Sequence, residues 1–270
     1  MYNAIKTLTL AALVALTAAC GDSARTTAAT DLLDRAAAAA SARQYPLTLQ
    51  LLDSLDHSYR DCLDIRRRGT RLRVEALRDL TMDSIAANDA RLGALQTEVD
   101  AARADFARVD IPGTDGYEVY SPAAKSWDIN RTGVQPRVDA DGYFFIAVNL
   151  AGRTIGLDRI CAGDSCTLPS QSLAVEGSEI MNVGQEAAAP LVAALLSSQA
   201  PVKLTLRGTR GSAAVTLDAT SLGAFAATWR YAIARQQLRL NLIGRERLER
   251  QLARLREQLV NLPDPAESEQ

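Results

Sequence analysis

The sequence predicts an α+β protein: a long antiparallel helical hairpin or bundle with a small antiparallel β-rich domain inserted between its two long helices. Three observations lead there. Near the C-terminus Leu248, Leu252, Leu255, Leu259 and Leu262 are spaced 4, 3, 4 and 3, the a/d spacing of a coiled-coil seam. Earlier, Ile85, Leu92, Val99 and Phe106 recur every seven residues, with Leu95 and Val109 in the offset positions. Between the two stretches, 71–109 and 222–259, the apolar period falls from that of a helix to that of a strand. Near-equal lengths favour packing of the two helices within one chain, hence a monomer. The competing use of the same leucines is a parallel dimer.

Length and composition set the outer limits. The chain has 270 residues, of which 47% are apolar and only 5% aromatic, enough for a packed core and better suited to long helices than to a large sandwich. A formal net charge of −2 offers no basic surplus for nucleic acid. One histidine and four cysteines make a poor set of transition-metal ligands, so no metal, cofactor or catalytic residue is expected.

Residues 1–19 read as a signal peptide. Lys6 supplies the positive region, and the apolar run from Leu8 to Ala19 is short of the roughly twenty residues a spanning helix needs. Leu16-Thr-Ala-Ala-Cys20 resembles the lipobox of bacterial lipoproteins, which implies that Cys20 is lipidated and becomes the mature N-terminus. An ordinary secretory signal cleaved after Ala18 or Ala19 is the other reading. Gly21 after the cysteine, in place of Asp, points to the outer membrane over the inner.

Residues 20–30 are small and polar and read as a flexible tether. The N-terminal helices, including the first long one, are expected over 31–111. An alanine-rich helix covers 31–43, and Pro46 opens a second, with Leu47, Leu51, Leu52 and Leu55 on one face. This pair resembles half of a tetratricopeptide repeat, or else is a plain helical hairpin beside the long helices. Gly69 then marks a kink or helix boundary amid Arg66, Arg67, Arg68, Arg71 and Arg73. Those arginines are either a patch facing phosphate or lipid headgroups, or a solvated face neutralised by neighbouring acids.

The inserted α+β domain is expected over 112–218. Strands are predicted at 117–120, 133–138, 143–150, 154–160, 202–207 and 213–217, with a short helix at 190–198. Asp139-Ala-Asp-Gly142 is a turn, and Phe144, Ile146, Val148 and Leu150 give the strand after it an apolar face. The closing helix, 219–262, is expected to bury Leu222, Phe225, Trp229, Ile233, Leu240 and Ile243, then slip register by one near Gly244. Asn88, Arg78 and Asn241 near expected seam positions predict polar layers or places that the other helices leave uncovered, and 263–270 reads as a disordered acidic tail.

Few residues suggest chemistry. His57 shares a helix face with Asp53 and Asp61, but nothing nucleophilic converges on it. Cys161 and Cys166 bracket a Gly-containing loop and read as a disulfide in an oxidising compartment, with free thiols as the alternative; Cys62 is left over. Tyr117, Tyr120, Trp127, Tyr143, Phe144 and Phe145 cluster in the β-domain, either as core or as a stacking surface. Tyr143 and Phe145, on the polar side of their strand, are the candidate partner-binding pair.

Leu51-Leu-Asp-Ser-Leu55, Thr81-Met-Asp-Ser-Ile85, Asp115-Gly-Tyr-Glu-Val119 and Arg245-Glu-Arg-Leu-Glu-Arg250 together resemble a group of outer-membrane lipoproteins from Bacteroidota-type bacteria. The resemblance implies a lipid anchor and no activity. The expected function is a non-enzymatic binding or scaffold module of the cell envelope, presenting the β-domain to a protein or glycan partner. A glycan-processing or hydrolase-like accessory enzyme with its site in the β-domain is the alternative.

Overall fold

The computed structural model describes residues 21–111, 113, 115–124 and 130–263. The signal peptide, Cys20, Trp127 and the acids Asp264, Glu267 and Glu269 lie outside the described residues. The protein is α+β, with five helices and two antiparallel sheets among those residues. It divides into two compact units: unit 1 comprises 1–87 and 245–270, and unit 2 comprises 88–244.

In unit 1, α1 (Gly21–Ser41) and α2 (Tyr45–Ser58) pack against the start of α3 (Leu63–Ala104). Ala29, Leu33 and Ala36 meet Leu52, Leu55 and Ile65 in a small core. The segment read as a tether is helical from Gly21. Helix propensity there is adequate, Ala29 is buried, and Arg25 anchors the turn by donating to Asp61 and the Ser58 carbonyl. The Arg25 guanidinium holds the Asp61 carboxyl below its ordinary range. Leu47, expected on the inner face of α2, is exposed.

Gly69 does not break α3. A Cβ at this position would come within 2.9 Å of Leu55 Cδ2 and 3.4 Å of Leu52 Cδ2, so glycine serves here as a notch that lets α2 approach the helix closely. Farther along unit 1, Arg71 Nη1 donates to the Pro263 carbonyl at the end of α5 (Ala219–Asn261).

The C-terminal seam does not slip. Along α5 and just past its end, Tyr231, Ala234, Leu238, Asn241, Arg245, Leu248, Leu252, Leu255, Leu259 and Leu262 are all at least partly covered and are spaced by alternating threes and fours. Leu240 and Ile243, expected inside, are exposed. A scan for leucines is misled because Asn241 and Arg245 hold two of the seam positions. Within unit 2, Asn88 Nδ2 donates to the Asn241 carbonyl at 3.0 Å.

Unit 2 carries both sheets. α3 ends at Ala104, before Val109, and residues 107–110 form strand β1 (Ala107–Asp110). Val109 is therefore an exposed strand residue and not part of the helix seam. β-Branched Val109 and Ile111 favour extension, and pairing with β2 (Tyr117–Tyr120) supplies four register pairs in place of another helical turn. The sheet continues with β3 (Gly133–Asp139), β4 (Phe144–Leu150), β7 (Leu173–Val175) and β8 (Ser178–Gly184), in the order β1-β2-β3-β4-β8-β7. The second sheet is β10-β9-β5-β6, built from β5 (Leu157–Ala162), β6 (Ser165–Cys166), β9 (Val202–Gly208) and β10 (Gly211–Leu217). Phe144, Ile146, Val148 and Leu150 are all fully buried.

Helix α4 (Gln185–Ser197) starts five residues earlier than expected, with Pro190 inside it. Its buried face, Ala188, Leu191, Val192 and Leu195, has helical spacing and joins the core. The unit 2 end of α5 contributes Phe225, Tyr231 and Ala232, with Phe106 stacked on Tyr231 at 4.8 Å and Trp229 set edge-on to Phe144 at 5.0 Å. Cys161 and Cys166 lie opposite one another on β5 and β6 and are joined as a disulfide, while Cys62 is a half-buried free thiol.

Candidate functional site

The tight turn between β3 and β4 builds one wall of the site. Gly142 has φ +90°, and a Cβ there would meet Arg235 Cβ at 3.0 Å, so glycine is required both by the backbone and by the approach of α5. Arg235 donates through Nη2 to the Ala140 carbonyl at 2.7 Å and through Nη1 to that of Asp139 at 3.3 Å. The Tyr143 N–H donates to Asp139 Oδ1 at 2.8 Å. These contacts fix the backbone beneath Tyr143, a residue that remains 47% exposed. Arg239, one turn along α5 from Arg235, places its guanidinium 5.6 Å from the ring centre and donates to the hydroxyl.

A cleft of about 900 Å³ opens beside this turn, lined by Tyr143 and Phe145 together with Asn182, Gln185, Gln236 and Leu168. Both aromatic residues singled out in the sequence therefore line the same space. Phe145 is half-buried and points to the face of its sheet opposite the Phe144 core. Three carboxylates reach the rim, Glu118 from β2, Asp139 from β3 and Glu186 from α4. Glu118 accepts from Arg137 Nη1, a pair in which both side chains are mostly buried. Asp139 is partly committed to Tyr143, and Glu186 is exposed in the first turn of α4.

The floor is built from side-chain amides. β8 ends at Gly184, opposite Phe145, and the next residue, Gln185, extends the ladder with its side chain: Oε1 accepts the Phe144 N–H at 3.0 Å. Gln185 and Gln236 then pair head to tail, each carboxamide donating to the other's oxygen. This joins the start of α4 to α5 across the base of the cleft. Sequence reading missed Gln185, Gln236, Asn182 and Leu168. A lone glutamine carries no pattern of its own, and the pairing spans a sequence distance that periodicity does not register.

The remaining candidates sit elsewhere. Three of the four arginines read as headgroup-facing each hold a carboxylate: Arg66 on Asp56, Arg67 on Asp64 and Arg71 on Glu75. Arg68 is exposed in the same helix. His57 is exposed at the end of α2; Asp53 is bonded to Arg73 and Asp61 to Arg25, so its two acidic neighbours are engaged by other side chains. No group of three or more His, Cys, Asp or Glu residues that could hold a metal occurs among the described residues. Nor is any described helix long and apolar enough to cross a membrane.

No family model, curated protein or solved structure matches this chain.

Proposed function

We propose that the protein is a non-enzymatic binding module of the bacterial cell envelope, one of the Bacteroidota-type lipoproteins it resembles. Cys20 carries the lipid that holds it to the membrane, the outer one by the Gly21 criterion. It works as a monomer in which α3 and α5 form an antiparallel hairpin bearing the β-rich unit. Arg71 against Pro263 in unit 1 and Asn88 against Asn241 in unit 2 support that pairing. The partner, protein or glycan, enters the cleft beside Tyr143. One observation carries the reading: an aromatic side chain left about half exposed on a turn that the rest of the unit holds rigidly. Exposed aromatics on a fixed backbone are the usual anchors of recognition surfaces.

Photo-crosslinking in cells tests it. A photoreactive residue replacing Tyr143 or Phe145 should capture a discrete adduct that the same residue at Arg68 does not. Identical adduct patterns from the three positions would rule the cleft out as the binding surface. A glycan-processing enzyme is the second reading, since carboxylates do reach the rim. The geometry favours binding over it, because Glu118 is already tied to Arg137 and Asp139 accepts a backbone N–H, which leaves no opposed pair of unengaged acids for acid–base work.

A further inference from the structure

Resting on the binding reading above, we infer that the cleft recognises a neutral oligosaccharide containing N-acetylhexosamine, with Tyr143 as the stacking platform and the Gln185–Gln236 carboxamide pair as the polar reader.

The inference starts from the kinds of group the cleft presents. Among the described residues its polar lining consists of carboxamides, carboxylates and the Tyr143 hydroxyl, with no lysine or arginine, and Arg239 behind Tyr143 is engaged with that ring and hydroxyl. An anionic ligand, whether phosphate, nucleic acid or acidic sugar, would face Glu186 and Asp139, while Arg137 is already spent on Glu118 and Arg239 on Tyr143. A cationic peptide needs uncompensated acid, yet Glu118 is paired with Arg137 and one oxygen of Asp139 is occupied by Tyr143 N–H. That leaves Glu186 as the principal open charge. A purely apolar ligand would strand the amides without partners. A neutral polyol fits all three constraints.

The amide pair adds specificity. The head-to-tail bonds use one N–H of each glutamine, and a carboxamide has two. Gln185 Oε1 is filled by Phe144 N–H and Gln236, so its side chain cannot rotate away without breaking the end of the β-ladder. The floor is therefore preorganised, which lowers the entropic cost of reading a ligand. Asn182 adds a third, exposed carboxamide nearby. An acetamido substituent presents one N–H, one carbonyl and one methyl. Amides answer the first two, and the methyl meets an apolar wall in Leu168 and Ala187; Leu168 is 61% exposed in the unliganded chain. The flat, partly exposed Tyr143 ring, with Arg239 against it, offers the C–H face of a pyranose a stacking surface. A volume of about 900 Å³ falls at the upper end of the usual range for small-molecule sites, room for more than one sugar ring.

Isothermal titration of the full-length protein with chitohexaose tests this, with maltohexaose and hexalysine as comparators. Chitohexaose should bind saturably, maltohexaose about tenfold more weakly or less, and hexalysine not at all. Tyr143→Ala and Asn182→Ala should each lower chitohexaose affinity, Tyr143→Ala by about tenfold, with the thermal midpoint unchanged because both side chains are exposed. Met82→Ala, at an exposed position in unit 1, should bind as the parent does. Equal affinity for the two sugars would overturn acetamido recognition, tighter binding of hexalysine would make the ligand a basic peptide, and undiminished binding by Tyr143→Ala would remove the platform. Failure of chitohexaose to bind, alongside a specific protein adduct from the Tyr143 photoprobe, would sink the saccharide and leave the binding module standing. Absence of both would sink both.

Discussion

Glu179 lies on the core side of β8, 3% exposed, and its two oxygens gather three backbone donors. Oε2 accepts the N–H of Ile155 at 2.9 Å and of Leu157 at 3.1 Å, and Oε1 accepts that of Gly156 at 2.8 Å. The side chain thus completes the hydrogen bonding of a loop entering β5, as a neighbouring strand would. A buried N–H left without a partner costs about 1–3 kcal/mol. Glu179→Gln replaces one acceptor oxygen with a donor, so urea denaturation should show a loss of about that size; an unchanged midpoint would contradict the assigned role. This residue also explains why β8 was illegible in the sequence. Its inward positions read Glu179, Met181, Val183, and a charged residue heading an apolar face breaks the alternation by which a strand is recognised. On β4 the inward set is Phe144, Ile146, Val148 and Leu150, nothing interrupts it, and the strand was legible. Tyr143 and Phe145 were legible for a related reason: they are aromatics on the side that should be polar. The glutamines that complete the cleft gave no such contradiction to notice.

Among the elements, two glycines separate a flexible close approach from a rigid one. At Gly69 the obstruction to a Cβ is Leu55 Cδ2, the end of a side chain that can turn, and alanine in a helix gains about 1 kcal/mol over glycine. Gly69→Ala should therefore change stability little, whereas at Gly208 a Cβ would stand 2.5 Å from the Ile155 carbonyl oxygen and 2.6 Å from that of Gly156. Backbone cannot step aside so cheaply, and overpacking of this kind costs about 1–3 kcal/mol or more. Thermal denaturation of the two variants should rank Gly208→Ala well below Gly69→Ala, and the reverse order would refute the account of both crossings. Sequence reading took Gly69 as a break because a glycine in a helical pattern is ambiguous between an end and a notch; the helix facing it decides, and that information is tertiary. The end of α3 was missed for the opposite reason: Phe106 and Val109 continue the helical spacing in sequence, although the helix has ended at Ala104 and Val109 is exposed on β1.

For the whole chain, the order helix, β-rich region, helix was legible, since each change of period leaves a local trace. The limits of the compact units were not. They fall at 87/88 and 244/245, inside α3 and α5, while composition changes near 112 and 218. Val99 belongs to the core of unit 2 although its helix begins in unit 1, and helix propensity carries no mark of which core a given turn will join. Residues at the two ends of unit 2 meet: a Cβ on Gly244 would lie 3.8 Å from Asn88 Nδ2. Cysteines replacing Asn88 and Gly244 should be bridged within one molecule by a short bifunctional maleimide at low protein concentration. Exclusively intermolecular products would favour the parallel dimer over the intramolecular hairpin.

That meeting of ends has a consequence for how the protein is made. Unit 2 is one continuous run of chain and can complete itself during synthesis or export. Unit 1 is split, and its second contributor, the leucine-bearing end of α5, emerges only after the whole of unit 2. Until then the part of unit 1 that this segment completes is unfinished, although α1, α2 and Ile65 can already have formed their own small core. During that interval unit 1 is open to the same segment of another copy of the chain, so the rate at which residues from 245 onward dock sets whether crowded nascent chains remain single or exchange their ends.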